Sequence, residues 1–156
     1  KIEGRMKGIN YLASVVKTYR NAIDAYIDFP DTYETNPDWL TELYQVFHRE
    51  YCTGFYFNQT GEPQLNYNNI HHGKIHSFIG KIMECTRDNH YKIGIRNKLT
   101  RGDTIEISSP KGPPKRTKII DLFDIENHSI DNAQPNTMAI LLIKIQCHPN
   151  DIVRKI

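Results

Sequence analysis

Ten consecutive residues, His48-Arg49-Glu50-Tyr51-Cys52-Thr53-Gly54-Phe55-Tyr56-Phe57, bring a charged trio, a thiol, one glycine and a group of aromatic rings together. Such a mixture suits contact with a partner surface, where aromatic rings and arginine supply area and directional bonds. By itself it names no reaction. A second concentration is basic: Lys98, Arg101, Lys111, Lys115, Arg116 and Lys118 crowd the turns around one short apolar segment. Cations at that density can meet phosphates, and they are also what solvated loops contain. Three histidines, His71, His72 and His76, lack the spacing that puts two imidazoles on one helix face, and the Cys85/His90 pair has no second pair, so no metal site is expected. No G-x-S-x-G elbow and no glycine-rich phosphate loop occurs. The sequons at Asn58 and Asn127 and the tripeptide Arg101-Gly102-Asp103 are explained by chance and by turn composition.

The elements that must position these residues follow from periodicity. Leu12, Val15, Val16, Tyr19, Ala22, Ile23, Tyr26 and Ile27 recur at helical spacing, with Gly8 or Asn10 able to cap the start and Pro30 ending the run. Asn36-Pro37-Asp38 announces a second helix: a capping amide, proline at the first position and an acid in the first turn. It carries Leu40, Leu43, Val46 and Phe47, and both apolar stripes are expected to be packed core faces. After a polar stretch the period becomes two. Strands are expected at 78–83, with Phe78, Gly80 and Ile82 on one face, and at 91–96, with Tyr91, Ile93 and Ile95 on one face. Further strands are expected around Ile105 and Ile107, and at 117–123, 138–145 and 151–155, with Gly80 and Gly94 at tight bends. The ten-residue run lies where helix gives way to strand.

Composition bounds the rest. A chain of 156 residues with 38% hydrophobic content can bury a core, and a net charge of +2 is not that of a dedicated nucleic-acid binder. A mean hydropathy of −0.58 and the absence of any long apolar run argue against a membrane span. Three cysteines without a C-x-x-C pair point to reduced thiols and a cytoplasmic setting. A sequence beginning Lys1-Ile2-Glu3-Gly4-Arg5 reads as a piece of something longer.

Residues 1–7, Lys-Ile-Glu-Gly-Arg-Met-Lys, and the helix Val15-Val16-Lys17-Thr18-Tyr19-Arg20-Asn21-Ala22-Ile23-Asp24 resemble the collagenase-like peptidase family, family 32 of the unassigned catalytic type. Its members read K-I-E-G-R-M-K-S and then V-x-x-Y-R-x-A-I-D. His48-Arg49-x-Tyr51-x-Thr53-Gly54-Phe55-Tyr56 is similar to its second signature, and Arg96-Asn97-x-Leu99-x-x-Gly102-Asp103 to its C-terminal barrel, which itself resembles domain 2 of translation factors. Gly8 stands where serine is usual and Cys52 where threonine or serine is common.

The resemblance implies a catalytic (β/α)-barrel N-terminal to this sequence. The iron–sulfur cluster of several members would lie there too, since none of Cys52, Cys85 and Cys147 matches its ligands. Residues 1–5 would end the last barrel strand, the side where such barrels place their chemistry. Glu3 and Arg5 are therefore the catalytic candidates, and a strand-end ion pair holding the next helix is the other account of them. The expected fold is α+β: two N-terminal helices followed by a small, about six-stranded antiparallel β-barrel, divided into 1–70 and 71–156. The expected function is a non-catalytic C-terminal accessory domain that helps a peptidase hold a protein or peptide substrate. The alternatives are an RNA-binding module of a family enzyme that hydroxylates transfer or ribosomal RNA, and a purely structural barrel. Candidate binding residues are His48, Arg49, Tyr51, Thr53, Phe55, Tyr56, Lys98, Arg101, Lys111 and Arg116, with the protein's own catalytic barrel as the expected partner. No cofactor or metal is expected in this part.

Overall fold

The computed structural model describes residues 1–46, 48–49, 51, 56, 71–72 and 77–156. Of the candidates above, Thr53 and Phe55 lie outside the described residues, as do Phe47, Cys52, Gly54 and His76. The chain divides into two compact units, Lys1–Lys74 and Ile75–Ile156, each taken by itself below.

The first unit begins with a turn. The Lys7 amide donates to the Gly4 carbonyl at 3.0 Å, and residues 1–5 are not in a strand. A strand exists only through its ladder, and no described residue pairs with this stretch; the barrel strands expected beside it are not among the residues of this chain. Helix α1 spans Ile9–Asp28, with Gly8 as an extended N-cap lacking a side-chain bond and Asn10 inside the helix. It ends where the Phe29 amide bonds Ala25, and Pro30 opens a 3-10 turn, Pro30–Thr32. Helix α2, Pro37–Tyr44, has the expected cap: the Asn36 side chain accepts from the Asp38 amide at 2.8 Å. Tyr26, Tyr33 and Trp39 make ring contacts between the two helices, at 5.5 and 6.4 Å.

The packing corrects one expectation. Ser14, Val15 and Thr18 are buried on α1, but Val16, Tyr19, Ile23, Tyr26 and Ile27 are 48–65% exposed, and Leu40 of α2 is 50% exposed. A pair of helices has one mutual interface, so a second apolar face finds no cover within it. Two short strands complete this unit: β1, His48–Arg49, pairs antiparallel with β2, His71–His72.

The second unit holds β3 (Ser77–Arg87), β4 (His90–Ile95), β5 (Leu99–Thr100), β6 (Thr104–Ser108), β7 (Lys115–Lys118), β8 (Asp121–Phe123), β9 (Asn132–Ala133), β10 (Met138–Leu142) and β11 (Ile152–Lys155). Seven of them form one antiparallel sheet in the order β7-β6-β11-β3-β4-β10-β8, and β5 pairs with β9 separately. The extra strand comes from the expected segment 117–123, which breaks at Ile119-Ile120. There Ile119 exchanges backbone bonds with Gly102 and Asp103 at 3.1 and 3.0 Å, while the Ile120 amide donates to Leu142 at 2.9 Å. One residue serves the β6 edge and the next serves the β10 edge. Seven strands laid flat span roughly 29 Å at ~4.8 Å per interval, whereas two linking residues reach only about 10 Å. The sheet must curl, and it forms a half-barrel.

Inside the curl the alternation of β4 holds: Tyr91, Ile93 and Ile95 are buried. In β3 the buried residues are Ile79, Gly80 and Ile82 rather than one strict alternate set, with register shifts further along its pairing with β4. In β6 burial is continuous from Ile105 to Ser108, including Glu106. Glu106 faces Arg154 of β11 and Arg116 of β7 in register, with Oε1 3.5 Å from Arg154 and Oε2 3.5 Å from the Arg116 Nε. Arg154 is 1% exposed. A buried ion pair of this kind gains little over an apolar pair, but losing one member strands the other charge.

Two stability predictions follow from these contacts. A Cβ on Gly80 would overlap the Gly94 carbonyl oxygen of the neighbouring strand, while one on Gly94 meets only Met138 Sδ at 3.8 Å. Gly80→Ala should therefore lower stability by about 1–3 kcal/mol, and Gly94→Ala should stay within about 1 kcal/mol of wild type. Equal denaturation midpoints for the two variants would contradict this. Glu106→Ala should cost about 3–5 kcal/mol, and the paired change Glu106→Leu/Arg154→Leu should cost clearly less in the same urea titration.

Candidate functional site

Of the joint motif, His48, Arg49, Tyr51 and Tyr56 are among the described residues. His48 is buried, and the Tyr51 ring stacks on it at 4.3 Å with an interplanar angle of 10°. Tyr44 meets both rings edge-on at 5.4 and 5.3 Å. The Tyr51 hydroxyl donates to the Leu43 carbonyl at 2.9 Å. Removal from water, and then the neighbouring phenols of Tyr11, Tyr44 and Tyr19, push its pKa up to about 12. That hydroxyl is a fixed donor, unsuited to proton transfer near neutrality. Arg49 lies in β1, and Tyr56 is 91% exposed.

The catalytic candidates do not meet each other. Glu3 Oε1 accepts from the Arg5 backbone amide at 2.8 Å, so the carboxylate caps the first turn. Both residues are exposed, and no ion pair joins them among the described residues. Among the described residues neither faces a second titratable side chain of the kind that acid–base or nucleophilic chemistry uses.

The basic turns separate into two kinds of residue. Arg101 is fully engaged: Nε lies 3.0 Å from Asp121, and one terminal nitrogen reaches Ser129 Oγ at 2.7 Å, the Ile130 carbonyl at 3.1 Å and Asp131 at 3.4 Å. Asp121 also accepts from the Leu122 amide at 2.8 Å and from Ser129 at 2.9 Å. The Leu122 amide above all, then Ser129 and Arg101, hold its carboxyl below the ordinary range against the opposing effect of burial. Arg101 thus fastens the turn before β6 to the β8–β9 segment. Arg116 faces Glu106, as described. Lys98, Lys111, Lys115 and Lys118 are exposed and have no ion-pair partner among the described residues. Side-chain type and position were readable from sequence; which cations were already engaged was not.

One feature had no sequence signal. Thr86, Arg87, Lys92, Ile125, Asn127 and Ile140 line a cleft of about 330 Å³ beside the β3–β4 hairpin. Asn127 sits at a φ of 66° in a turn that Asp124 holds by accepting from the Glu126 and His128 amides at 2.8 and 2.9 Å. The lining comes from separated segments, so no local motif marks it. Lys92 pairs with Glu84 at 3.1 Å, and Asp88, Asp124 and Glu126 stand on the same segments, so the cleft's surroundings are not basic.

No three His, Cys, Asp or Glu side chains among the described residues converge to hold a metal ion. Cys147 is buried, and desolvation, then Asp151, push its thiol up to about 12, the reverse of what a thiolate ligand requires. These residues do not fit an iron–sulfur cluster. No helix among the described residues is long and apolar enough to cross a membrane.

With this geometry established, comparison with known proteins adds three relatives. The profile of Peptidase family U32 matches residues 1–66, and that of the Peptidase family U32 C-terminal domain matches residues 74–154. The chain is similar to tRNA hydroxylation protein P1 of Bacillus subtilis, with 28% identity over 99% of the chain and 37% of that protein. It is 30% identical to tRNA hydroxylation protein P of Escherichia coli over 72% of the chain and 24% of that protein. A collagenase of Porphyromonas gingivalis is 37% identical over 38% of the chain and 16% of its own length. The chain therefore spans well under half of each of these relatives.

The Arg101 fastening predicts an acid limit. Because the Asp121 carboxyl is held below its ordinary 3.8, its contribution to stability is complete above that value and is lost as pH falls through the lowered one. Asp121→Asn should melt below wild type at neutral pH, and the difference should shrink on acidification below about pH 4. A difference that is the same at every pH would argue against the ionised carboxylate as the source.

Proposed function

The chain belongs to peptidase family U32, and we propose that it is the accessory, substrate-holding part of a member that acts on transfer RNA. The observation that carries this reading is the extent of likeness: similarity to a tRNA hydroxylation protein runs over nearly the whole chain, through both units, whereas the collagenase match is confined to a minor part. The exposed lysines of the second unit agree with a phosphate-bearing substrate. A peptide-holding role is the second reading, favoured by that collagenase match.

Hydroxylation is an oxidation and needs a redox-active group. The described residues offer neither a convergent ligand set nor an activated nucleophile, so the reaction is assigned to the part of the longer protein outside this chain. The bare face of α1, with Val16, Tyr19, Ile23 and Tyr26, is read as the surface that meets that part. The half-barrel is read as a relative of domain 2 of translation factors, and the protein is read as cytoplasmic, in keeping with a transfer-RNA substrate.

Competition decides between the readings. The purified chain should bind labelled transfer RNA with Kd of ~10⁻⁴–10⁻⁶ M at physiological salt. It should neither bind a collagen peptide at comparable concentration nor cleave gelatin. Binding of the peptide without the RNA, or cleavage abolished by a point change in the chain, would overturn the proposal.

A further inference from the structure

We infer that the second unit grips RNA along the β7 edge, through Lys111, Lys115 and Lys118, and that it takes the phosphate backbone of a folded RNA rather than unpaired bases. This rests on the RNA reading above and adds the surface and the feature recognised.

Among the described residues strand β7 pairs only with β6, so its other side is an edge of the sheet as described. Lys115 lies opposite Ile107 and Lys118 opposite Thr104, and alternation sends these two side chains off opposite faces of that edge about 10 Å apart. Lys111 sits on the preceding loop, between Pro110 and Gly112, whose φ of 74° turns the chain there. All three are exposed, and none has an ion-pair partner among the described residues.

The carboxylates nearby are already engaged. Asp103 is 2.7 Å from Lys155, Glu106 lies between Arg154 and Arg116, and Asp121 and Asp131 meet Arg101. The lysine field is therefore not cancelled locally. Arg101 and Arg116, the arginines of these turns, already face Asp121 and Glu106, and the three lysines offer point charges suited to phosphate.

What the unit does not expose is equally specific. Its exposed large hydrophobics among the described residues are Met83, Ile120, Ile125, Met138 and Ile156, none of them aromatic. Capture of unpaired bases relies on aromatic stacking platforms. Without one, recognition falls on backbone and shape, which is how structured RNA is read. Charged edges also guard sheets against pairing with other chains, and the experiment separates that role.

The full chain would be titrated with labelled transfer RNA and with oligouridine of equal length at two salt concentrations. Wild type, Lys111→Glu/Lys115→Glu/Lys118→Glu and the control Lys144→Glu, at an exposed lysine away from β7 in sequence, would be compared, each checked by thermal melt. The triple variant should lose at least about tenfold in affinity, and its log–log salt slope should shrink by about 2 to 3, from roughly 0.7–0.9 per phosphate contact. The control should stay within about twofold of wild type, and transfer RNA should bind at least as tightly as oligouridine. If the triple variant unfolds or self-associates, the same comparison is read from the three lysine-to-glutamine changes. Unaltered RNA binding by folded lysine variants would overturn the assigned edge while leaving the RNA reading intact. A preference for oligouridine would overturn backbone recognition of folded RNA. No binding of transfer RNA by wild type at low salt would remove the RNA reading itself, and the inference with it.

Discussion

Two residues hold the second unit in shape. Ile119 bonds to one margin of the seven-stranded sheet and Ile120 to the other, so the covalent chain draws the margins together. Ile119 is buried and Ile120 is 45% exposed, consistent with a chain that passes over the rim of the core at this point. Once the sheet is curled, its buried apolar residues, Ile79, Ile93, Ile105 and Leu141 among them, pack against one another and with Leu99 and Ala133 of the β5–β9 pair. The Arg101 fastening lies at the same corner, since Gly102 bonds Ile119 and Arg101 bonds Asp121, just before and just after the crossing. A flat sheet would have left those apolar residues in water.

This crossing explains what could and could not be read in the sequence. The β4 alternation and the Asn36-Pro37-Asp38 cap were legible because both are local rules, one of period and one of hydrogen bonding. The break at Ile119-Ile120 was not, because the alternating pattern runs straight through it; only the long-range partners change. Burial of Glu106 and Arg154 was hidden for a similar reason. Charged residues read as solvent-facing until a register places them beside each other. The α1 stripe was recognised correctly as apolar, but periodicity measures what a face is made of, not whether this chain covers it.

The candidate residues divide along the same line. Composition located the basic turns, yet their arginines and lysines behave differently once folded. Arginine, with a planar fork of donors, closes internal networks around Asp121 and Glu106, and lysine is left outside. In the joint, His48 and Tyr51 looked like contact residues because histidine and tyrosine are common in interfaces. Their rings instead close on each other and on Tyr44.

The buried thiol of Cys147 carries a consequence for the kinetics of this fold. Thiolate is the reactive form, and a thiol that is both enclosed and raised to about 12 is silent toward alkylating reagents while the half-barrel stays shut. Cys85, on the exposed arm of β3, has no such shelter. Cys85 and Cys147, two of the chain's three cysteines, therefore form a natural clock: one registers reagent at once, and the other only when the core around it opens, so the lag between them measures how often that core is breached.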